Sequence, residues 1–442
     1  MKILLIQPVN YLTNRGGAYK ANRILLEGLA ARNHTCRVLT TFHPAKPGEY
    51  FQDLAARGID AVPSKSGGTT YTHSGVEVVV AKDRMQLFMA IVPQIETFEP
   101  DWTILETQDS LAIEAALEAE PSRVIYLCHT STNLPFGPDC IAPDPSQAEL
   151  LKKVGNSLTV SRYMKDYLKR WGGLEAESLY WPSYGPGPFP RFSNFDSGYV
   201  TLVNPCAAKG QPIFLELAKR LSEIEFAAVP TWGTTEEDLA ALKQLPNVRL
   251  LEPQADVNNI FAQTRVLLAP SLGVESFGQI VVEAMARGIP VLASDLGGLS
   301  EAKLGVDYLL PVTQLRYEAR GSEYVEVVPE QDVTPWQQAL TELLSDRTRY
   351  YQLATDSYTA AIDFISSLGI TPFEEYLEKL VPFSSPEITA QTAEEIARAK
   401  KLKAQLKSLS PEKRALLALR LANKDHLCDK DGTAGSSQYH LR

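Results

Sequence analysis

Cysteine is scarce in this chain, with five thiols in 442 residues at Cys36, Cys128, Cys140, Cys206 and Cys428. Their odd number and scattered spacing write no disulfide framework and no zinc-type pair, so they read as reduced thiols of a cytoplasmic protein. Long apolar runs are also missing: no stretch approaches the roughly 20 residues that cross a bilayer. The opening Met1-Lys-Ile-Leu-Leu-Ile-Gln-Pro8 reads as a first strand rather than a signal peptide. Basic residues are not in excess. The net charge of −10 argues against a general nucleic-acid binder, which would be positive. Carboxylate pairs with metal-ligand spacing are lacking too, so neither a metal nor another cofactor is expected.

What is present is a chain long enough for two cores and a tail, alternating strand and helix patterns throughout. Buried strands are expected at Lys2–Gln7, Cys36–Thr41, Val76–Val80, Asp101–Glu106 and Arg123–Cys128, with helices near Tyr50–Arg57 and Arg84–Phe98 between them. Such alternation implies a parallel, doubly wound sheet. Asn14-Arg15-Gly16-Gly17 falls between the first strand and a helix carrying Ile24, Leu25 and Leu29. A glycine pair there either brings backbone amides to a phosphate or simply makes a tight turn. His129 stands at the carboxyl tip of its strand, where substrates meet such sheets, although a structural histidine would sit there equally well. Lys65–Gly75 reads as a polar, mobile loop near the acceptor side, and the four-proline segment 134–145 as a stiff one that either frames an acceptor pocket or is simply a rigid crossing.

A second alternating region begins at Tyr199–Asn204, after a proline-dense segment around Trp181–Phe192 that reads as a semi-rigid linker. Its centre is the stretch from Ser271 to Glu301. An apolar strand, Val266–Pro270, enters a loop with Glu275; a helix follows Gly278 and carries Glu283; Pro290–Ser294 makes another strand, closed by Gly297-Gly298. Glu283 is spaced to accept two hydrogen bonds from adjacent hydroxyls, as on a ribose. The amides of Phe277, Gly278 and Gln279 lie at the helix start, where unpaired N–H groups attract phosphate.

Glu275 and Glu283, separated by seven residues and followed by Glu-Ala-Met-Ala-x-Gly-x-Pro-Val and Ser-x-x-Gly-Gly-x-x-Glu, resemble the signature of the retaining glycosyltransferases of family 4. The resemblance implies an α/β GT-B fold, two Rossmann-like domains facing across a cleft that holds a nucleotide-diphosphate sugar. It implies that Glu283 holds the ribose, that Glu275 and His129 contact the donor sugar, and that Gly16, Gly17, Ser276, Phe277, Gly278 and Lys209 surround it, Lys209-Gly210 matching the diphosphate lysine. His129, Glu275 and Lys209 would be the catalytic set. The family's diphosphate arginine is replaced by Asn204, so either another cation, Arg15 or Arg265, substitutes or the donor is held less tightly. Expected boundaries are 1–182 for the acceptor-side domain, 183–198 for the linker, 199–349 for the donor domain and 350–382 for helices returning to the first domain.

Residues 383–442 form an expected tail. Within 398–424 nine basic residues face one acidic, Glu412, a net +8 that leaves −18 on the rest. Leucines at 402, 406, 409, 416 and 419 make the segment amphipathic, and Leu409–Leu419 resembles segments that precede condensation domains in non-ribosomal peptide synthetases. A synthetase partner, peripheral contact with an anionic membrane, or a merely solvated face all fit. The acceptor is expected to be a small molecule such as a secondary metabolite, a carrier-bound group or a lipid. A nucleotide-sugar 2-epimerase of the same fold and a catalytically lapsed scaffold are the other functions this pattern admits.

Overall fold

Sheet formation follows the apolar runs. In the computed structural model, which describes residues 1–382 apart from 14–15, 64–67, 186, 255 and 322, each buried run becomes a strand. The first sheet has nine strands, in the order Val62–Pro63, Thr69–His73, Val76–Ala81, Thr35–Thr41, Lys2–Ile6, Trp102–Leu105, Val124–Cys128, Asn156–Thr159 and Glu177–Ser178. All pairings from Val76–Ala81 onward are parallel, with Ile3 opposite Cys36 on one side and Trp102 on the other. The second sheet has six parallel strands, in the order Val248–Leu250, Phe226–Val229, Tyr199–Val203, Thr264–Ala269, Val291–Ser294 and Leu309–Leu310. Parallel strands are covered on both faces, which is why these runs are continuously apolar rather than alternating.

Each sheet has an apolar core on both faces. Ile3, Leu5, Val38 and Ile104 pack under the helix Gly17–Ala31, while Leu4, Ile6 and Leu105 pack against Arg84–Phe98 and Ser110–Ala119. In the second half, Leu202, Phe226 and Leu268 meet the helices Gln211–Arg220 and Thr334–Ser345. The other face, with Leu267 and Ala293, meets Gln279–Met285. Residues 1–317 and 326–381 form one compact unit.

Two segments depart from expectation. Thr69–His73, expected inside a mobile loop, is a strand antiparallel to Val76–Ala81. Its threonines and the buried Tyr71 supply β-branched and aromatic residues in alternation. Ser74 and Gly75, at φ of 47° and 80°, close the hairpin with the left-handed pair that a two-residue turn requires. The loose stretch before Asp332 likewise contains two strands, Arg316–Arg320 and Glu323–Val327. Residues 383–442, with the basic amphipathic segment, lie outside the described residues, as does Arg15.

The chain crosses between the halves twice. After leaving the first sheet it passes through the segment around Trp181. It returns through residues 368–370, whereupon the helix Thr371–Lys379 buries Phe373 and Leu377 in the first-sheet core. Glu374 binds Arg32 at 2.5 Å and His34 at 2.7 Å, and the Trp102 indole donates to the Leu377 carbonyl at 3.0 Å. The preceding helix, Arg347–Ser367, stays with the second half through Tyr350, Leu353 and Ala361.

Candidate functional site

The carboxyl ends of the two sheets share a cleft of about 1490 Å³. On the second-sheet side its floor is two loops stitched together by backbone. The N–H groups of Leu272 and Gly273 both donate to the Ala208 carbonyl, at 3.0 and 2.9 Å. Gly210 makes this approach possible: it sits at φ +81°, and a Cβ there would strike the Pro270 carbonyl. Lys209 is thereby held against Glu275 as an ion pair, and the Ser271 hydroxyl donates to the same carboxylate oxygen at 3.0 Å. From behind, the Gly298 N–H donates to the Glu275 carbonyl at 2.7 Å, and a Cβ on Gly298 would meet the backbone of Ser276 and Phe277.

Glu283 lies half-buried in the helix Gln279–Met285, and its carboxylate has no hydrogen-bond partner among the described residues. Burial raises its pKa above the usual carboxylate range, opposed by Lys20 and Arg287. Arg287 is anchored elsewhere, donating to the Glu283 carbonyl at 2.7 Å and to Asn258 at 2.6 Å, between the rings of Phe189 and Phe261. Gly278, at φ +95°, caps this helix, and Phe277 is buried against Tyr180 and Phe364. Ser276 lines the cleft, while its carbonyl accepts from the Ser161 hydroxyl across it at 2.5 Å.

Gly16, Gly17, Lys20 and His129 form the opposite wall. Gly17 faces Gln279 so closely that a Cβ would approach its amide to 2.6 Å. His129 Nε2 is 2.7 Å from the Asn22 side-chain oxygen, its ring lies 5.5 Å from that of Trp181, and burial pushes its pKa down to about 3. Glu301 joins the walls: its carboxylate accepts from the backbone N–H groups of Arg162 and Tyr163, both at 3.1 Å, and from the Tyr180 hydroxyl.

The sequence-based site residues thus line one cleft, and two calls about cations change. Arg265 stands at the amino end of its strand, donating to the Leu344 carbonyl at 3.3 Å and lying over Phe195. The ligand end of a parallel strand is its carboxyl end, so this arginine cannot serve a phosphate. Asn204 lines the cleft but is otherwise engaged: left-handed at φ 60°, it accepts the Gly233 N–H at 3.0 Å and so holds the turn bearing the exposed Trp232. Asparagine tolerates that backbone better than a longer side chain would. The cations lining the cleft among the described residues are Lys20 and Lys209. Lys20 escaped the sequence reading, although it stands one turn beyond the glycine pair. Trp232 and Tyr317 also line the cleft, with no local motif to announce them. Among the described residues no group of three or more His, Cys, Asp or Glu is placed to hold a metal, and no helix is long and apolar enough to cross a membrane.

Comparison with known proteins bears on this architecture. The family described as "Glycosyl transferases group 1" matches residues 197–346, the stretch that carries Lys209, Glu275 and Glu283. Sucrose-phosphate synthase of Thermosynechococcus elongatus superposes with a TM-score of 0.62 over 86% of this chain and 98% of that one, at 16% identity. HepE of Anabaena, solved with UDP and glucose, gives a TM-score of 0.59 over 86% of this chain and 100% of its own, at 17% identity. The fold is GT-B. In sequence, the D-inositol 3-phosphate glycosyltransferase of Nocardia farcinica is 32% identical over 114 residues, which are 26% of this chain and 21% of that protein. The chain thus spans about a fifth of the length of that curated relative. A GT-B architecture brings the two Rossmann-like halves, and the residues above, to opposite sides of one cleft.

Proposed function

We propose that this protein is a retaining glycosyltransferase that moves a sugar from a nucleotide-diphosphate donor to an acceptor hydroxyl. The observation that carries the reading is the Lys209–Glu275 pair, fixed by backbone hydrogen bonds on the cleft floor with the unpartnered Glu283 carboxylate one helix away. Glu283 would accept the two ribose hydroxyls. Lys209 would turn from Glu275 to the departing diphosphate, stabilising charge that develops as the glycosidic bond breaks. Gly16 and Gly17 let backbone approach the diphosphate from the other wall, together with the amide of Gly278. Lys20 supplies the second cation, a role the sequence offered to Arg15 or Arg265. Glu275, relieved of Lys209, would take a hydroxyl of the sugar, and His129 another. The UDP bound by HepE fits a nucleotide-sugar donor here, and retention of configuration follows from the motif's resemblance to family 4.

The acceptor would be a small metabolite, a carrier-bound group or a lipid, and the basic segment 398–424 would dock a synthetase or an anionic surface when the acceptor is tethered. Engagement of Asn204 by Gly233 favours one competing reading, a cleft that grips diphosphate too weakly for transfer. Incubating the chain with UDP-, GDP- and ADP-sugars, and following nucleotide release and sugar configuration by proton NMR, tests both. Release of UDP with an α product from an α donor supports the proposal; an epimerised donor or no turnover overturns it.

A further inference from the structure

Gln7, Asn22 and His129 come from three different elements: the end of the Lys2–Ile6 strand, the second turn of the Gly17–Ala31 helix and the tip of the Val124–Cys128 strand. Gln7 and Asn22 are fully buried. The Gln7 amide nitrogen donates to the Val9 carbonyl at 2.7 Å. A carbonyl has only lone pairs to offer, so the amide orientation is decided there, and Gln7 Oε1 must face the other way. It faces Asn22, whose amide nitrogen donates to it at 3.1 Å. Asn22 Oδ1 is then left toward His129 Nε2 at 2.7 Å, and an oxygen with lone pairs requires Nε2 to carry the hydrogen. A neutral imidazole has one ring hydrogen, so Nδ1 becomes the acceptor. No partner for Nδ1 exists among the described residues, and His129 lines the cleft.

We propose that Asn22, oriented by Gln7, is a positioning residue that holds His129 as the neutral Nε2–H tautomer and presents Nδ1 as an acceptor to a hydroxyl of the transferred sugar. The sugar rests on the glycosyl-transfer reading; the tautomer is a property of the folded chain and is tested apart from it. Depression of the His129 pKa to about 3 by burial agrees with a ring that stays uncharged across the working range. An uncharged ring matters for the chemistry. Positive charge grows on the sugar as the leaving group departs, and an imidazolium beside it would oppose that charge, whereas a lone pair binds the hydroxyl without doing so. The relay also makes a selection: Nδ1 can take a hydroxyl hydrogen, so a donor lacking that hydroxyl, or carrying an acceptor-only group in its place, leaves it unmatched.

A long-range proton–nitrogen spectrum of the full, 15N-labelled chain reads the tautomer directly, with His129 assigned by the pattern lost in His129→Gln. The expected result is an Nε2–H pattern unchanged from pH 8 down to pH 5. An Nδ1–H pattern, or a protonation midpoint near 6.5, overturns the proposal. Asn22→Asp sets a carboxylate against the Nε2–H, which favours the charged ring, so the His129 midpoint should rise by at least one pH unit. Hydrolysis of the best UDP-sugar from the donor panel should then fall at least about tenfold one pH unit below that raised midpoint and recover as pH rises past it. Affinity for UDP, measured by calorimetry, should stay within about twofold. An unmoved midpoint, or equal loss of UDP binding and turnover, overturns the relay. Should Asn22→Asp not fold, the wild-type spectrum still decides. Failure of the glycosyl-transfer reading shows separately, as absence of donor turnover in the unmodified chain.

Discussion

The two walls of the cleft are built by different means. On the second-sheet side Lys209 and Glu275 ride on two loops fixed by glycines and backbone hydrogen bonds, Glu283 on the helix after the second, and each stretch carries its own short pattern of residues. On the first-sheet side the chemistry is remote: His129 owes its chemical state to residues 107 and 122 positions earlier, brought beside it by the strand order. A wall of the first kind leaves a motif, because residue type and spacing are both constrained in sequence. A wall of the second kind leaves none, because any fold that delivers an amide to that point would serve.

This contrast makes the second-sheet wall the more sensitive to backbone change. Gly210→Ala forces a Cβ against the Pro270 carbonyl in a left-handed conformation, and should cost about 3 kcal/mol or more. For a chain of this size the melting temperature would drop by at least about 3 °C by calorimetry. An unchanged melt would mean that the two floor loops are not rigidly stitched.

Side chains on the same wall should lose function with little loss of stability. Lys209→Ala is expected to slow donor hydrolysis about 100-fold, roughly 2.7 kcal/mol, because the departing diphosphate loses its fixed cation. A comparable loss in Lys20→Ala would show that the two walls share that work; a larger loss there would reverse the assignment.

Glu283→Gln should act mainly on binding, raising donor KM about tenfold with turnover within a few fold, as befits contacts made alike before and during bond breaking. Its pKa is raised in the fold, so the carboxylate is lost as pH falls through a value above the ordinary glutamate one. Donor KM should therefore climb toward acid from that higher point, and Glu283→Gln should abolish the climb. The sign for stability is opposite: a raised acid pKa weakens folding as pH rises, so the glutamine variant should melt no lower than the parent at pH 7. A lower melt would make Glu283 a structural residue.

On the first-sheet wall, His129→Ala should reduce donor hydrolysis about tenfold, roughly 1.4 kcal/mol, while UDP affinity measured by calorimetry is kept. Equal loss of both would make the histidine a packing residue for Trp181. The smallest effect is expected from ending the chain after Pro382. Every residue of both walls lies before that point, so donor hydrolysis and melting temperature should stay close to those of the full chain. A truncated protein that unfolds would put the tail inside the fold.

Legibility in the sequence followed the same division. The paired parallel sheets were readable because strands buried on both faces must be apolar throughout, and the helices because their apolar positions recur at helical spacing. Thr69–His73 was hidden because its threonines look polar one by one; only Tyr71, buried between them, marks the strand. Glu275 and Glu283 could be paired because their spacing and the residues after them resemble the family 4 signature. Arg265 was offered to the diphosphate although its place just before the apolar run Val266–Pro270 already put it at the amino end of that strand. Asn22 and Gln7 were unremarkable in the sequence, an amide on a helix and another after a strand, and became informative only as neighbours of His129. Asn204 showed itself as a departure but not what it does instead.

The double crossing of the chain has a mechanical consequence. The outgoing and returning segments touch, with the Trp181 and Phe373 rings 4.6 Å apart. Two bodies joined by one tether can swivel about it; joined by two tethers lying side by side, they lose the swivel and keep a rocking axis through both. A relative motion of the halves would therefore be that of the covers of a book about a spine. Each opening would separate the same pairs of atoms along the same arc, and the cleft edge away from the spine would travel farthest.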